Sequence, residues 1–513
     1  VDAKAAAPQP QPETPSKPRP RLTVSKETTR IFEPLDDEGY VDYLAALNQR
    51  EREGVTLENN AAVLFVQALG LEGDLIYRDD YFRLLGIDPL PEQGDYLSDY
   101  YLYFQNKHGR QPDEKEQNEF FDAMSAPWSA AGAPTLAEWL ESNEKPLALV
   151  VEGTHRPRCY FPLVKSTGAE TMISVLLPTV QQTRAAARAL LARAMRKLHD
   201  GQVKEAQDDI LACHRLARLV GSTPFLIGML VGNAIEAMAC QGDAALIEHG
   251  KLSAKDSLAY LRELKTLPPM ADAADVIDVS ERYATLDVAA SFARRGAPAM
   301  EEAIGERTSG PVQALEALLT NFLFVNWDEA MRLLNEQYDK IVAAARLEKA
   351  AERERALHNL EQELFVFKAD VSDPARLAAS FFEGRSPRKT MGRNMGKVLA
   401  ALMLPAFDAG IRAATRARTR AEIGQLGFAL AAYRALHNEY PESLDLLVPQ
   451  YVAELPADPF TDRALHYARD EDGRGFLLYS VGPNGIDEGG LTQDSALPAD
   501  DIPLQIPADP ERK

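Results

Sequence analysis

The stretch from Leu402 to Ile502 constrains the fold most, because a helix, a turn, two strands and an acidic loop follow one another within it. Four apolar residues recur there at steps of three and four, which places them on one face of a helix: Ile423, Leu426, Leu430 and Tyr433. Tyr440-Pro441 ends this helix, since proline disfavours helical geometry in the preceding residue and lacks a backbone donor. We therefore expect an amphipathic helix that packs along this stripe.

The next residues predict a short helical turn and a hairpin. Ser443 and Asp445 begin the turn, and its leucines are expected to point inward: Leu444, Leu446 and Leu447. Beyond it, side chains alternate with period two on either side of a turn at residues 470–475, as in a small antiparallel hairpin: Leu465, Tyr467, Phe476, Leu478 and Ser480. The predicted unit is one amphipathic helix lying on a small sheet.

An acidic, glycine-rich loop follows the hairpin. Residues 475 to 511 contain no lysine or arginine but carry seven carboxylates: Asp487, Glu488, Asp494, Asp500, Asp501, Asp509 and Glu511. Glycines at 482, 485, 489 and 490 allow unusual backbone angles, and Asn484 and Asp487 supply short oxygen ligands beside them. Calcium selects this mixture of carboxylate, amide and backbone oxygens. A bound calcium ion would neutralise and order the loop, whereas the alternative is a solvated acidic tail.

The same order of elements occurs in the type II secretion major pseudopilins. This chain resembles them in four segments: LMLPAFDAGIRAATRARTRAEIGQLGFALAAYRALHNEYPESLDLLVPQYV, LPADPF, LHYARDEDGRGFLLYSVGPNGIDEGG and ADDI. The likeness covers about a fifth of the chain, and it identifies a structural module rather than a function. It implies a pilin-like head domain. In that family the loop ending in an ADI-like tripeptide binds calcium, so the resemblance places Asn484 and Asp501 at the motif positions, with Asp487 and Asp494 as weaker additions.

The chain also departs from the family. Pseudopilins begin with a basic leader and an apolar helix of about twenty residues that spans a membrane. Here the corresponding run, Val398 to Phe407, is short, contains Pro405 and lies deep inside the chain, so we do not expect it to serve as the usual anchor. Asn484 stands where aspartate is commoner, and Leu491 to Pro498 lengthens the loop. Both differences lower the expected metal affinity.

Charge limits the classes of partner. The chain has 513 residues, a formal charge of −21 and a pI near 5.0, which argues against a general nucleic-acid or anionic-membrane surface. One basic region breaks the pattern, with Arg385, Arg388, Lys389, Arg393, Lys397, Arg412, Arg416, Arg418 and Arg420. We interpret it as a helix face that pairs with the acidic remainder. The alternative is a docking surface for an acidic partner or for the protein's own tail.

The three cysteines and the amino terminus bear on the compartment. Cys159, Cys213 and Cys240 form no CxxC motif, so a structural zinc site is not expected. Cys213 and Cys240 are predicted to be small buried apolar residues. The alternative is a disulfide between them.

Residues 8–20 form a proline-rich linker after Val1. We infer that a signal peptide or membrane anchor precedes Val1, which places the protein in the periplasm or elsewhere outside the cytoplasm. A cytoplasmic protein with a trimmed terminus is the alternative.

The rest of the chain predicts a mainly α fold: an irregular multi-helical bundle, partly solenoid-like, followed by a small α+β carboxyl-terminal domain. Helical periodicity at residues 187–198 and 203–220, with a break at 200–202, predicts an antiparallel pair. Residues 326–368 are expected to contain one long charged helix. We divide the chain into a disordered linker at 1–30, a multi-helical domain at 31–385, a long helix at 386–440, and the hairpin with its acidic loop at 441–513.

Catalytic motifs are absent from the sequence: HExxH, GxSxG, GxxxxGK[ST] and a GxGxxG after a strand. Two sets of residues deserve weighing as sites. Asp275, Asp278 and Glu281 recur every three residues and could form an acid/base pair, although an ion-paired helix face has the same spacing. The second set is His155, Arg156, Arg158 and Cys159. These residues could form an anion pocket, although an ordinary loop is the expected structure.

A tyrosine-rich segment offers a third candidate. The side chains of a carbohydrate or peptide groove could come from Tyr96, Tyr100, Tyr101, Tyr103 and Phe104, although core packing is the expected role. The prediction for the whole chain is a non-enzymatic, membrane-tethered scaffold or binding protein of the cell envelope, with an unidentified protein partner, no nucleic acid and a calcium-stabilised head. The alternatives are an extracytoplasmic hydrolase and a divergent type II secretion component.

Overall fold

The computed structural model describes residues 22–71, 78–165, 171–172, 175–176, 178–296, 325–373, 376, 386–404, 407–492 and 499–507. Most of the proline-rich linker lies outside these residues. Residues 22–30, which we had assigned to that linker, are instead packed against the bundle. The Asn335 side-chain amide donates to the carbonyls of Glu27 (3.1 Å) and Thr28 (2.7 Å), and Thr28 is fully buried.

The described residues of the amino-terminal part contain seven helices: α1 Tyr43–Arg52, α2 Ala61–Leu69, α3 Arg78–Leu85, α4 Tyr100–His108, α5 Glu114–Asp122, α6 Pro134–Ser142 and α7 Glu144–Thr154. Side-chain caps from Asp42, Asn60, Asp99 and Asp113 satisfy free amides at the starts of four of them. A two-stranded ladder, β1 Val164–Lys165 and β2 Val175–Leu176, follows.

The central bundle contains α8 Pro178–His199, α9 Val203–Gly221, α10 Phe225–His249, α11 Ala254–Thr266, α12 Ala273–Val276, a π-helical turn Ile277–Glu281 and α13 Arg282–Arg295. The predicted antiparallel pair is α8 and α9, and Gly201 turns the chain between them with a φ of 77°. The carboxylate of Asp209 joins these two helices, because it accepts two hydrogen bonds from Arg193 (2.9 and 2.7 Å) and one from Lys197 (2.7 Å).

The single long helix predicted over residues 326–368 is wrong. The structure has two helices there, α14 Trp327–Ala345 and α15 Ala350–Ser372. The chain leaves α14 at Arg346, and the guanidinium of Arg353 binds the carbonyls of Leu347 (3.0 Å) and Glu348 (3.3 Å) in the connection. Charged residues run through both helices, so the sequence pattern does not show the break.

The carboxyl-terminal part comprises α16 Pro387–Met403, α17 Phe407–His437, a 3-10 turn Leu444–Leu447, and the strands β3 His466–Arg469, β4 Phe476–Ser480 and β5 Ile502–Ile506. We expected one long helix at residues 386–440. The structure has two helices in this range, α16 and α17. Asn438, with a φ of 61°, follows the last residue of α17, so the helix ends before Tyr440-Pro441. Leu444 and Leu447 are buried as predicted, but Leu446 is 51% exposed and faces outward.

The predicted hairpin is confirmed, and a third strand joins it. β3 pairs antiparallel with β4, with Arg469 opposite Phe476, and β5 pairs antiparallel with the other edge of β4. Sequence reasoning missed β5 because Pro503 lies within it. Proline is tolerated there because β5 is an edge strand of the described sheet, where its missing amide breaks no inner ladder.

The residues that the structure describes form two apolar cores, and α17 contributes to both. The second half of α17 packs with α2 to α11 and the sheet in one core, through residues such as Ile423, Leu426 and Leu430. Its first half, including Ile411 and Ala414, joins α13 to α16 in the other. The observed architecture is therefore a mainly helical bundle with a small three-stranded antiparallel sheet, in which the sheet shares a core with the bundle.

Two described stretches are long and apolar enough to cross a membrane by length and composition, namely Phe225–His249 and Pro387–His437. In each, 56% of the most apolar window is buried inside the protein. Both stretches contribute helices to the cores described above.

Candidate functional site

The acidic loop folds back over the end of the sheet. Its four glycines have φ between 66° and 81°, which confirms the expectation of backbone angles that other residues rarely adopt. Gly482 also lies so close to Asp500 that a β-carbon would be 2.1 Å from the Asp500 carbonyl oxygen. The loop therefore brings residues 482–490 against residues 500–501.

Asp501 is the most buried of the loop carboxylates that the structure describes, with 4% of its surface exposed. Its Oδ2 accepts hydrogen bonds from the backbone amides of Glu488 (3.1 Å) and Gly490 (2.7 Å). Its Oδ1 is buried and has no hydrogen-bond partner among the described residues. Burial and the adjacent carboxylate of Glu488 raise the pKa of Asp501 to about 6, although the two amides oppose this shift.

Glu488, which sequence reasoning did not select as a ligand, connects the loop. Its Oε1 accepts from the Asn484 amide (2.6 Å), and its Oε2 accepts from the Asp500 backbone amide (3.3 Å). The side chains of Asn484, Glu488 and Asp501 are thus neighbours, with Asp500 beside them. No pattern in the sequence distinguishes Glu488 from the other acidic residues of the loop.

The remaining predicted ligands lie differently. Asp487 points towards the sheet, where Oδ1 accepts from Tyr479 Oη (2.9 Å) and from the Gly489 amide (3.0 Å), and Oδ2 lies 3.5 Å from His466 Nδ1. Asp494 lies outside the described residues. Across the described part of the chain, no group of three His, Cys, Asp or Glu side chains is placed to hold a metal ion.

The basic face of α17 contacts this loop. Arg416 Nη2 lies 3.4 Å from Asp500 Oδ2, so one arginine of the basic region pairs with the protein's own acidic segment. Arg412 pairs with Asp408 (2.7 Å) and Glu354 (2.6 Å), and Lys397 of α16 pairs with Asp370 (3.1 Å). For these three residues, the interpretation that the basic region pairs with the acidic remainder is confirmed.

A second polar cluster lies inside the bundle, between α9, α10 and α11. His214 Nδ1 is 3.0 Å from Glu236 Oε2, and its Nε2 is 3.0 Å from Asp243 Oδ2. Arg218 donates to both oxygens of Glu236 (2.6 and 3.0 Å), and Tyr260 Oη donates to Asp243 Oδ1 (3.0 Å). Sequence reasoning missed this cluster because its members are separated along the chain and share no motif spacing.

The charges of this cluster are fixed by mutual contact. Burial acts to lower the pKa of His214, but the carboxylates of Glu236 and Asp243 outweigh it and raise that pKa to about 10. Burial acts to raise the pKa of Glu236, yet His214 and Arg218 lower it to about 2. Burial raises the pKa of Asp243, although His214 and Tyr260 act to lower it, so the carboxylate of Glu236 is the firmer partner of the imidazolium in this core. Every nitrogen and oxygen named here is used within the cluster, which is the arrangement of a structural network.

The carboxylates at 275, 278 and 281 do not converge. Asp275 pairs with Arg346 (2.6 Å), and Asp278 pairs with Arg282 (2.5 Å). Glu281 is buried, which raises its pKa, and it accepts from the Leu226 backbone amide (2.7 Å). The π-helical turn at Ile277–Glu281 changes the helical phase, so the spacing of three no longer places these side chains on one face.

The two arginines beside His155 do not form the anion pocket that was the alternative to an ordinary loop. Arg156 donates to the carbonyls of Leu57 (2.8 Å) and Asn60 (2.9 Å), and Arg158 donates to the carbonyl of Glu53 (3.2 Å). Cys159 is half-buried, and burial raises the pKa of its thiol. These guanidinium groups tie α7 to the loop before α2.

The tyrosine-rich segment packs largely as expected: Tyr100 and Phe104 lie in the core, whereas Tyr96, Tyr101 and Tyr103 are half-buried. Tyr100 stacks on Phe120 at 4.5 Å and meets Trp139 edge-on at 5.4 Å, and Phe104 is also buried. Cys213 and Cys240 are buried free thiols, as predicted, so the disulfide alternative is wrong.

Comparison with known proteins adds no family. The chain matches no protein-family model, no curated protein and no solved structure.

Proposed function

We propose that this protein is a non-enzymatic, extracytoplasmic scaffold or binding protein of the cell envelope, whose carboxyl-terminal head is pseudopilin-like and stabilised by calcium. The observation that carries the proposal is the acidic loop, where Asp501 keeps one buried carboxylate oxygen without a described partner beside Glu488. Two neighbouring carboxylates repel each other unless a proton or a cation lies between them. Calcium supplies that cation.

The donors are of the types that calcium takes, although the described side chains are not already placed as a metal-holding group, so binding would have to draw them together. Asp501 and Glu488 offer carboxylates, and Asp500 lies beside them in the chain. Asn484 turns its amide nitrogen to Glu488, and its Oδ1 accepts from the Ile486 amide (2.7 Å), so its side chain would have to rotate to offer that oxygen to the ion. Calcium accepts such oxygens in flexible geometry together with backbone carbonyls and water. Bound there, the ion would hold residues 484–490 to residues 500–501 and neutralise both segments. Asp487 is not part of this set, because its oxygens face Tyr479 and His466.

The resemblance to pseudopilins, together with α17 lying against a small antiparallel sheet, supports the assignment outside the cytoplasm. The bundle's carboxylates at 275, 278 and 281 have separate partners, which favours a binding role over hydrolysis at that place. A protein partner remains part of the proposal, and nucleic acid does not, because the net charge is −21.

Calorimetric titration of the metal-stripped protein with calcium tests this proposal. Heat is expected for the wild type and for Glu471→Gln, a control that removes one exposed acid from the same domain. Asp501→Ala is expected to abolish the signal, and Asp501→Asn, which keeps an acceptor for the two amides, is expected to weaken it strongly. Absence of heat from the wild type would remove calcium from the proposal.

The pH dependence of calcium binding gives a second, independent readout. Because the pKa of Asp501 is raised to about 6, a proton competes with calcium below that pH. Calcium affinity is expected to fall as the pH drops through 6, and binding near pH 6 should release protons. Titrations in buffers of different ionisation enthalpy measure that release. Binding that is independent of pH between 5 and 7 would assign the ion to other ligands.

A further inference from the structure

An open groove of about 630 Å³ lies between α5 and the loop that follows this helix. Every residue from 114 to 133 belongs to the described part of the chain, so the groove is bounded by described residues on both sides. Its floor is apolar and comes from the loop: Ala123, Ala126, Pro127, Trp128 and Ala133. A concave apolar surface of this size with a few polar groups at its edge is the usual form of a binding site.

Trp128 provides the largest apolar surface of the floor. It is half-buried, and its indole Nε1 donates to the Ala192 carbonyl of α8 at 2.9 Å. This hydrogen bond holds the ring in place and uses its single donor, so the ring presents carbon atoms to the groove. The face of a tryptophan attracts a cation, and a guanidinium group also stacks on it.

The wall that α5 contributes is acidic. Its charged side chains in the groove are three carboxylates and one base: Glu114, Glu119, Asp122 and Lys115. The three carboxylates are exposed, and they form no ion pair with the residues that the structure describes. Glu116 on the same helix differs, because its two oxygens accept from Arg110 (2.7 and 2.8 Å). Solvent-accessible, unpaired carboxylates beside an aromatic face are complementary to a basic partner.

We propose that this groove binds an extended, arginine-containing segment of a partner protein. A guanidinium group would stack on Trp128 and pair with the carboxylates of α5, and the adjoining backbone would lie over the alanines of the floor. A volume near 630 Å³ holds about twenty non-hydrogen atoms, or two to three residues of a peptide, since each water molecule of the liquid occupies ~30 Å³. The inference rests on the proposed function, because it gives the protein partner of that proposal a chemistry.

Calorimetry on the full chain tests the proposal, with the peptide acetyl-Ala-Arg-Ala-Arg-Ala-amide as the probe. The matched ligands carry lysine, citrulline or glutamate in place of arginine, and citrulline keeps the planar shape of arginine without its charge. The arginine peptide is expected to bind most tightly and the lysine peptide more weakly, because an ammonium group stacks less well on an aromatic ring. The citrulline and glutamate peptides should not bind measurably. Equal affinities of the arginine and citrulline peptides would overturn the proposal.

Charge-removing variants locate the bound peptide. The double variant Glu119→Gln/Asp122→Asn is expected to weaken the arginine peptide about fivefold or more, because two exposed carboxylates that pair with it are lost. Glu471→Gln removes one exposed acid from the turn between β3 and β4, and it should bind the peptide as the wild type does. Wild-type affinity in the double variant would place the peptide elsewhere and would contradict the proposal.

Tryptophan fluorescence gives an independent readout. Trp128 is half-buried, whereas Trp139 and Trp327 are only 1% and 2% exposed, so bound peptide should change the emission of Trp128. The change should be absent from Trp128→Phe, and the affinity of this variant for the arginine peptide should also fall. Melting curves verify that each variant folds.

Two further results would overturn the proposal. One is a wild-type protein that does not bind the arginine peptide at millimolar concentration. The other is a wild-type dimer in sedimentation that the double variant dissociates, because the groove would then hold a second copy of this chain. Calcium binding is measured separately on the metal-stripped protein, so the failure of either proposal is distinguishable from the failure of the other.

Discussion

At the scale of single residues, His214 shows how strongly burial and contact change a side chain. Histidine alone in an apolar core would be neutral, yet here two carboxylates 3.0 Å from its nitrogens raise its pKa to about 10. Removing one member of a buried charged network leaves its partners without compensation, which costs more than the network itself contributes. The cluster therefore makes a specific prediction about stability.

His214→Ala is expected to lower the free energy of unfolding by about 3–5 kcal/mol, because Asp243 and Glu236 lose their shared cation in the core. Urea unfolding followed by circular dichroism measures this loss. His358→Ala is the matched control: this histidine is 62% exposed, and its removal should change stability by less than about 0.5 kcal/mol. Similar losses in both variants would contradict the role assigned to the buried network.

The same network predicts a pH dependence. The pKa of His214 is raised from 6.5 to about 10, so its stabilisation is complete below pH 6.5 and is lost as the pH rises towards 10. The pKa of Glu236 is lowered from 4.5 to about 2, so its stabilisation is complete above pH 4.5 and is lost as the pH falls towards 2. The difference in unfolding free energy between wild type and His214→Ala should therefore be largest between pH 4.5 and 6.5 and shrink at pH 10. A constant difference across this range would contradict the raised pKa.

At the scale of secondary-structure elements, close contact between α9 and α10 depends on two glycines. A β-carbon placed on Gly232 would lie 2.5 Å from the Gly221 α-carbon and 2.7 Å from the Ala217 carbonyl oxygen. Both atoms belong to the backbone of α9, so a side chain there cannot be accommodated by a rotamer change. The two helices must move apart, and that movement also strains the contacts of His214 on α9 with Glu236 and Asp243 on α10.

Gly232→Ala is expected to destabilise the protein by about 1–3 kcal/mol, the usual cost of overpacking a tight core. Gly424→Ala on α17 is the matched control, because the nearest atom to its added β-carbon, Asp243 Oδ2, is at an ordinary 3.8 Å. Replacing that helical glycine by alanine should stabilise the protein by up to about 1 kcal/mol. Thermal melts of the two variants should thus shift in opposite directions, and equal shifts would contradict the close helix contact.

At the scale of the whole molecule, α17 joins the bundle to the sheet. Its first half packs in the core of α13 to α16, and its second half packs in the core that also holds Phe476 of β4. Gly427 of α17 lies so close to both Leu504 of β5 and Ile247 of α10 that an added β-carbon would be 2.6 and 2.9 Å from them. The head is therefore not an appendage with a core of its own, and we expect it to unfold together with the bundle.

Phe476→Ala tests this expectation, because Phe476 is fully buried and packs edge-on to Tyr440 at 4.7 Å. The change should cost about 3–5 kcal/mol. Tryptophan fluorescence reports the bundle, since Trp128, Trp139 and Trp327 all lie in its helical part. The fluorescence transition should move to lower denaturant, whereas Phe365→Ala, at a side chain that is 67% exposed, should move it little. An unchanged transition in Phe476→Ala would show that the head unfolds separately.

Local signals determined the elements that the sequence predicted correctly. The helical stripe from Ile423 to Tyr433, the turn at Gly201 and the alternation around residues 470–475 each depend on neighbours a few positions apart, so periodicity and turn residues suffice to find them. Composition found the acidic loop and its glycines, whereas the choice of Asn484 and Asp501 as metal ligands came from the resemblance to pseudopilins and stays a prediction. Sequence reasoning did not find β5, because Pro503 is acceptable only at a sheet edge, and edge position is a property of the assembled sheet.

Tertiary structure alone decided which side chains meet. His214, Glu236, Asp243 and Tyr260 come from three helices, so no spacing in the chain predicts that they meet. Glu488 became the neighbour of Asp501 only when the loop folded back. The physical reason is the same in each place: periodicity specifies which face of an element is apolar, whereas the burial and pairing of a charge depend on the elements that pack against that face.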